Sequence, residues 1–171
     1  MGVSAGRARN DQRQMKAADS LQSQGLKPTI LVVDDNKTVL EFLLLLLSKH
    51  GLPVIGTSSG SECLKIVTSQ VVDLVILDVM MPGMDGLEVC RQLKKVNGVI
   101  PIILLTARDD MRTRAAAMDL GVSEFVAKPV NNQDLLNRIR MQLRSLQWHK
   151  TAEQVFSRIQ KSQCGAVVNK L

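Results

Sequence analysis

The chain has 171 residues, of which 45% are hydrophobic and 2% aromatic, and its formal net charge is +6. This length allows one domain with a single, mainly aliphatic core. The longest unbroken apolar run, residues 42–47, is too short to cross a bilayer, and the polar N-terminus is not typical of a secretion signal. Three unclustered cysteines indicate neither a disulfide framework nor a zinc site. We therefore expect a cytoplasmic protein without a transmembrane segment.

The positive charge is concentrated at the two ends of the chain. Residues 1–28 contain five basic and two acidic side chains and are predicted to form a flexible basic arm. Residues 29–148 are neutral, and residues 149–171 form a basic extension that could continue the last predicted helix. A nucleic-acid partner would have to bind these tails alone, so we do not expect one. Solvated arms are the simpler interpretation, with nucleic acid or an acidic membrane surface as the alternative.

Short apolar runs alternate with helical patterns between the two tails. The predicted strands are residues 30–33, 54–57, 74–77, 102–105 and 124–127. The predicted helices are residues 37–50, one segment opening at Ser59, one opening at Asp85, residues 110–120, and a helix from 132 to at least 148. Ser59 and Asp85 each precede a glutamate by three residues, Glu62 and Glu88, which is the spacing of a helix-capping box. Five strand–helix units in this order predict an α/β fold, a doubly wound parallel sheet with helices on both faces.

Two of the predicted helices carry apolar residues whose role the pattern leaves open. The first contains the run 39–47, for which we expect core packing, with a dimer or partner surface as the alternative. The last carries a stripe with helical spacing, which predicts a core-facing side, with a coiled-coil seam as the alternative. The members of this stripe are Leu136, Ile139, Leu143 and Leu146. A homodimer therefore remains one expectation.

Polar residues directly follow the predicted strands. Asp34 and Asp35 follow the first strand, Asp78 the third, Thr106 the fourth and Lys128 the fifth. Because the carboxyl ends of parallel strands share one edge of a sheet, we expect these side chains to converge. Three carboxylates without a His or Cys partner favour a hard cation, above all Mg²⁺, and Lys128 adds a second positive charge. The pattern predicts a phosphoryl-accepting site in which Asp78 is the nucleophile.

Four segments of the chain, in this order, resemble the receiver domain of two-component response regulators. They are ILVVDDN at residues 30–36, LDVMMPGMDG at 77–86, LTA at 105–107 and FVAKP at 125–129. The resemblance covers about residues 29–148. It implies a flavodoxin-like (βα)5 fold with strand order 2-1-3-4-5.

The resemblance also implies a metal site and a phosphoacceptor. Asp34, Asp35 and Asp78 are expected to hold Mg²⁺, together with the backbone carbonyl of Met80. Asp78 is expected to accept the phosphoryl group and to form an acyl phosphate. Met80 and Arg108 differ from the residues commonest at these two positions, and we expect them to position a hydrolytic water poorly, which predicts slow autodephosphorylation.

A switch mechanism follows from the same resemblance. Lys128 is expected to pair with the phosphoryl oxygens and to precede Pro129 through a cis peptide bond. Thr106 is the expected switch hydroxyl, and Phe125 is the expected switch aromatic that turns inward when Thr106 moves, although plain core packing would also explain Phe125. The face formed by the fourth helix, fifth strand and fifth helix would then bind a downstream protein partner.

These residues indicate a signalling switch rather than a turnover enzyme. The expected phosphodonor is a sensor histidine kinase or a histidine phosphotransfer protein. The alternatives are a phosphorelay intermediate or phosphate sink, and a regulatory or assembly module whose output lies in the tails or a partner. A phosphatase of the haloacid dehalogenase type is disfavoured, because such enzymes place a second acid where this chain has Met80.

Overall fold

A computed structural model describes residues 28–107 and 111–146. Within them, one sheet of five parallel strands has the order β2-β1-β3-β4-β5. The strands are β1 (Ile30–Val33), β2 (Val54–Thr57), β3 (Leu74–Asp78), β4 (Ile102–Ala107) and β5 (Glu124–Lys128). The helices are α1 (Lys37–Lys49), α2 (Gly60–Ser69), α3 (Gly86–Val96), α4 (Met111–Asp119) and α5 (132–146). The predicted doubly wound fold and its strand order are confirmed.

Both predicted tails lie outside the described part of the chain, except for Pro28. The same holds for Arg108 and for the predicted end of the last helix at Trp148. Among the helices that the structure does describe, none combines the length and the apolar character that crossing a membrane requires.

Three strands extend beyond their predicted ends, to Asp78, Ala107 and Lys128. The prediction ended each strand at its last apolar residue and was wrong here, because ladder pairing depends on the backbone and not on side-chain polarity. Asp78 aligns with Leu105 on the neighbouring strand, and Ala107 aligns with Lys128. Asp78, Thr106 and Lys128 are thus held on paired strand backbone, whereas Asp34 and Asp35 lie in the loop that follows β1.

The core occupies both faces of the sheet. On one face, α1 and α5 cover the alternate residues of β1, β3 and β4. The stripe on α5 lies in this layer: Leu136, Ile139 and Leu143 are buried, and Leu146 packs against them. Its predicted core-facing role is therefore confirmed. The other face is covered mainly by α2 and α3.

Helix α1 has more apolar surface than the core takes up. Leu43 and Leu47 are buried one turn apart, as an amphipathic helix requires. Phe42 and Leu45 point outward, however, and their exposed fractions are 44% and 56%. The expectation of core packing is thus confirmed for one side of the helix, and the other side remains an apolar surface.

Helices α2 and α3 begin at the predicted capping residues. The Ser59 side chain accepts a hydrogen bond from the Glu62 backbone N–H at 3.4 Å, and the Asp85 side chain accepts one from the Glu88 N–H at 2.8 Å. Each cap satisfies a backbone donor that the first helical turn cannot pair. The carboxylates bond elsewhere: Glu88 accepts from side chains of its own helix, and Glu62 accepts from the Thr57 hydroxyl on β2.

We expect the two core cysteines to resist alkylation in the folded protein. Cys63 on α2 and Cys90 on α3 are buried, and burial raises the pKa of each thiol to about 12. Since the thiolate is the reactive form, iodoacetamide at about pH 8 should leave both unmodified. Mass spectrometry of a Cys164→Ser variant measures this, and the same variant in urea should take up two labels. Labelling of the folded variant as fast as the unfolded one would contradict the packing described.

Candidate functional site

One ammonium group joins two carboxylates at the carboxyl edge of the sheet. The Nζ atom of Lys128, the last residue of β5, lies 2.9 Å from Oδ2 of Asp34 and 2.9 Å from Oδ1 of Asp78. Asp34 follows β1, and Asp78 ends β3, so three strands meet through this contact. The expected convergence is thus observed for Asp34, Asp78 and Lys128. The Lys128–Pro129 peptide bond is cis, as predicted.

Three carboxylates form a cluster beside this ammonium group. One oxygen from each of Asp34, Asp35 and Asp78 lies within 4.8 Å of the others. Asp34 and Asp78 are buried, whereas Asp35 is exposed. The Asp34 side chain is also fixed locally, because its Oδ1 accepts the Asn36 N–H at 2.9 Å. Asn36 in turn caps α1. The short loop that carries Asp34 and Asp35 is therefore fixed to the start of this helix.

Burial and the contacts of Lys128 shift the pKa of two groups in the site. Burial raises the pKa of the Asp78 carboxyl, and the nearby Asp34 acts in the same direction, although the Lys128 hydrogen bond and charge oppose them. For Lys128, burial lowers the ammonium pKa, but the hydrogen bonds to Asp34 and Asp78 outweigh it and the pKa is raised. Both shifts favour a bound proton, which burial stabilises on the Asp78 carboxyl and the two neighbouring carboxylates stabilise on the Lys128 amine.

The donor set fits a hard divalent cation. All three candidate ligands are carboxylate oxygens, which are the ligands that Mg²⁺ prefers. A divalent ion would balance the negative charge that Lys128 leaves, and buried carboxylates require such pairing. Asp35 is exposed, so that side of the cluster is open to the water and phosphate oxygens with which Mg²⁺ usually completes its coordination.

The backbone around Asp78 is fixed by contacts that the sequence analysis did not anticipate. The Gly86 N–H donates to the Val79 carbonyl at 2.9 Å, and the Met80 backbone acts to lower the pKa of the Asp78 carboxyl. A Cβ atom at Gly86 would lie 2.3 Å from the Asp78 carbonyl oxygen. Only glycine lets α3 begin this close to the strand that carries Asp78. In the sequence, Gly86 is recognisable only as the residue after the capping Asp85, which does not indicate this close approach.

Thr106 and Phe125 lie on the same face of the sheet. Thr106 is buried near the end of β4 and aligns with Ala127, whereas Phe125 aligns with Leu104 and is half-buried against the core. Because residues two apart on a strand share a face, Phe125 is a diagonal neighbour of Thr106. This placement is compatible with the roles expected of the pair, which stay predictions.

Met80 lies next to the acidic cluster, with its side chain exposed to solvent. Its backbone acts to lower the pKa of the Asp78 carboxyl, and the predicted metal contact of its carbonyl remains a prediction. The thioether offers no strong hydrogen-bonding group at this position. Arg108, the second residue expected to affect hydrolysis, is outside the described residues.

We expect Gly86→Ala to destabilise the fold by about 1–3 kcal/mol, because the new methyl group overlaps the Asp78 carbonyl and the backbone has to move. Urea unfolding measures the free-energy change. Gly98→Ala is the matched control, since its nearest neighbour is the Lys94 carbonyl oxygen at 3.3 Å in an exposed loop. Equal stability of the two variants would show that the approach of α3 to Asp78 is not constrained.

Comparison with known sequences agrees with this geometry. The family model of the response regulator receiver domain matches residues 30–140. Response regulator MprA of Mycolicibacterium vanbaalenii is 46% identical over 115 residues, which cover 67% of this chain and 50% of that protein. Response regulator MprA of Mycobacterium leprae is 44% identical over 126 residues, covering 74% and 55%. The chain spans about half the length of the curated relatives it matches.

Solved structures give the same result. A putative response regulator from Chloroflexus aurantiacus superposes with a TM-score of 0.66 at 34% identity and covers 69% of this chain and 98% of its own. A response regulator receiver domain protein from Clostridium thermocellum gives 0.68 at 34% identity, covering 71% and 98%. A CheY-like protein from Methanospirillum hungatei, with a TM-score of 0.70, 24% identity and coverage of 72% and 99%, supports the fold alone. The chain belongs to the response regulator receiver domain family of two-component systems.

Proposed function

We propose that this chain is a phosphorylation switch in which Asp78 accepts a phosphoryl group from a sensor histidine kinase or a histidine phosphotransfer protein. The observation that supports this most directly is the position of the Asp78 carboxylate. It is bonded to the Lys128 ammonium group and clustered with Asp34 and Asp35 at the open edge of the sheet. Membership of the receiver family supports the same assignment.

The acidic cluster is the proposed Mg²⁺ site. Asp34, Asp35 and Asp78 would hold the ion, with the Met80 backbone carbonyl as a further ligand. Bound there, the ion would supply positive charge opposite the negative charge of the transferred phosphoryl oxygens. Lys128 already holds the carboxylates of Asp34 and Asp78, and the Asn36 N–H also holds that of Asp34, so these two groups need little reordering to bind.

The transfer itself needs a nucleophile and groups that bind the phosphoryl oxygens. A carboxylate oxygen of Asp78 attacks the phosphorus atom of phosphohistidine, and the bond between phosphorus and the imidazole nitrogen breaks. The electron pair of that bond stays on the imidazole, which takes up a proton. The Lys128 ammonium group then pairs with the new phosphoryl oxygens, and the Thr106 hydroxyl donates to one of them. The product is an acyl phosphate on Asp78.

The proposed output surface consists of α4, β5 and α5. Thr106 and Phe125 share a face of the sheet next to this surface. A shift of the Thr106 side chain would therefore change the space available to the Phe125 ring. Helix α4 exposes Met111 and Met118 to 72% and 70%, and Met141 on α5 is exposed too. Methionines are flexible, and exposed apolar groups often mark binding surfaces. We propose that a downstream protein binds this face.

We propose the chain as a substrate of phosphotransfer rather than a turnover enzyme, acting in the cytoplasm. The free, buried thiols of Cys63 and Cys90 agree with a reducing compartment. If the phosphoryl group returned to a histidine protein, the domain would instead act as a relay intermediate or a phosphate sink. The exposed Phe42 and Leu45 on α1 offer an apolar surface that a second copy could use.

We expect acetyl phosphate to modify the wild-type chain in the presence of Mg²⁺ and not after chelation with EDTA. Asp78→Asn should abolish the modification, because an amide cannot form the acyl phosphate. Asp119→Asn, a change of the same chemistry at an exposed position on α4, should leave it intact. Intact-protein mass spectrometry detects the added phosphoryl group. Undiminished modification of Asp78→Asn would refute the assignment of the phosphoacceptor.

The acyl phosphate is expected to decay slowly, because the Met80 side chain offers an attacking water no strong hydrogen bond. The half-life of the phosphorylated chain, followed after removal of the donor, tests this. Met80→Asn should shorten the half-life, since its amide can hold a water molecule beside the phosphoryl group. Loss of the label from the wild type within seconds would contradict the expectation.

A further inference from the structure

Thr57 is a buried polar residue next to the acidic cluster, although it is not part of it. It ends the edge strand β2, and only 3% of its surface is exposed. Its hydroxyl donates a hydrogen bond to the carboxylate of Glu62 on α2 and accepts one from the Ser59 N–H at 3.3 Å. The Thr57 side chain thus fastens the end of β2 to the first turn of α2.

The backbone of Thr57 contacts the acidic cluster directly. Its carbonyl oxygen accepts the Asp34 N–H at 3.2 Å, continuing the ladder in which Val33 aligns with Thr57. The side chain of Asp34 bonds to the Asn36 N–H and to Lys128. Asp34 is therefore held by its main chain on one side and by its carboxylate on the other, and Thr57 provides the main-chain contact.

We propose that Glu62 and Thr57 are positioning residues for the Mg²⁺ site. Glu62 orients the Thr57 hydroxyl and thereby holds the end of β2, and the Thr57 carbonyl fixes the main chain of Asp34. The inference rests on the proposed function, because it concerns the same metal site. Mg²⁺ demands near-ideal octahedral geometry, so a small displacement of one ligand weakens its binding. Residues that orient ligands without touching the metal commonly affect affinity strongly.

The arrangement of β2 explains why such a fastening is needed. The strand has four residues and lies at the edge of the sheet, paired on one side by β1. Short edge elements open locally at low free-energy cost. The capping box expected at Ser59 would have used Glu62 within its own helix, but the structure directs the carboxylate to Thr57 instead. The bond therefore links two elements, α2 and β2, that flank the Asp34 loop.

Paired variants of the full chain distinguish the effect of losing the hydrogen bond between Thr57 and Glu62 from the effects of changing side-chain shape or charge. Thr57→Val removes the hydroxyl at similar size and should weaken Mg²⁺ binding about tenfold, whereas Thr57→Ser should bind as the wild type does. Glu62→Ala should match Thr57→Val, and Glu62→Gln, which keeps an acceptor oxygen, should stay near the wild type. Isothermal titration calorimetry gives the dissociation constants. Glu62 is exposed, so its variants are expected to fold.

A second readout follows the contact without metal. Hydrogen exchange at the Asp34 amide, measured by NMR, should accelerate in Thr57→Val and Glu62→Ala but not in the Ser and Gln variants. Wild-type affinity in Thr57→Val would overturn the inference, and so would equal weakening by Glu62→Gln and Glu62→Ala, which would indicate a charge effect. If the wild type did not bind Mg²⁺ at all, the proposed function would fail, and unchanged amide exchange would separately refute the positioning role.

Discussion

The contact between Lys128 and the carboxylates of Asp34 and Asp78 is the interaction on which the site depends. Two buried acids on neighbouring strands would repel one another, and burial already raises the pKa of Asp78. The ammonium group makes their burial tolerable and ties β1, β3 and β5 together at one edge. It does not neutralise the cluster, because one ammonium group faces the three carboxylates of Asp34, Asp35 and Asp78. The unbalanced charge is what makes the site suited to a divalent cation.

Much of this could be predicted from the sequence, because the decisive signals are local. Continuous apolar runs marked three of the strands, and Ser59 and Asp85 marked helix starts. Polar residues after the runs located the edge where the side chains meet, since parallel strands end together. The ends of β3, β4 and β5 were placed too early, because the polarity of a side chain does not indicate whether its backbone is paired. Asp78 is the clearest example, as the last paired residue of β3.

The supporting residues could not be predicted, because their contacts depend on how distant segments align. Gly86 reads as an ordinary helix start until α3 is placed against the Asp78 carbonyl. Thr57 reads as a β-branched strand residue, and its contact with Asp34 follows only from the parallel alignment of β1 with β2. Glu62 fitted a capping box within its own helix. The residues with chemical roles were thus recognisable by type, whereas the residues that hold them were determined by packing.

The difference in exposure between Asp35 and its two partners has a consequence for timing. Asp34 and Asp78 are enclosed, but Asp35 faces solvent, so the cluster has an open side. Small ions can therefore reach Asp35 without any strand separating from the sheet. Binding of a cation on this side would not require local unfolding of the domain. The rate of cation binding would then be set by encounters with ions in solution rather than by slow opening of the fold.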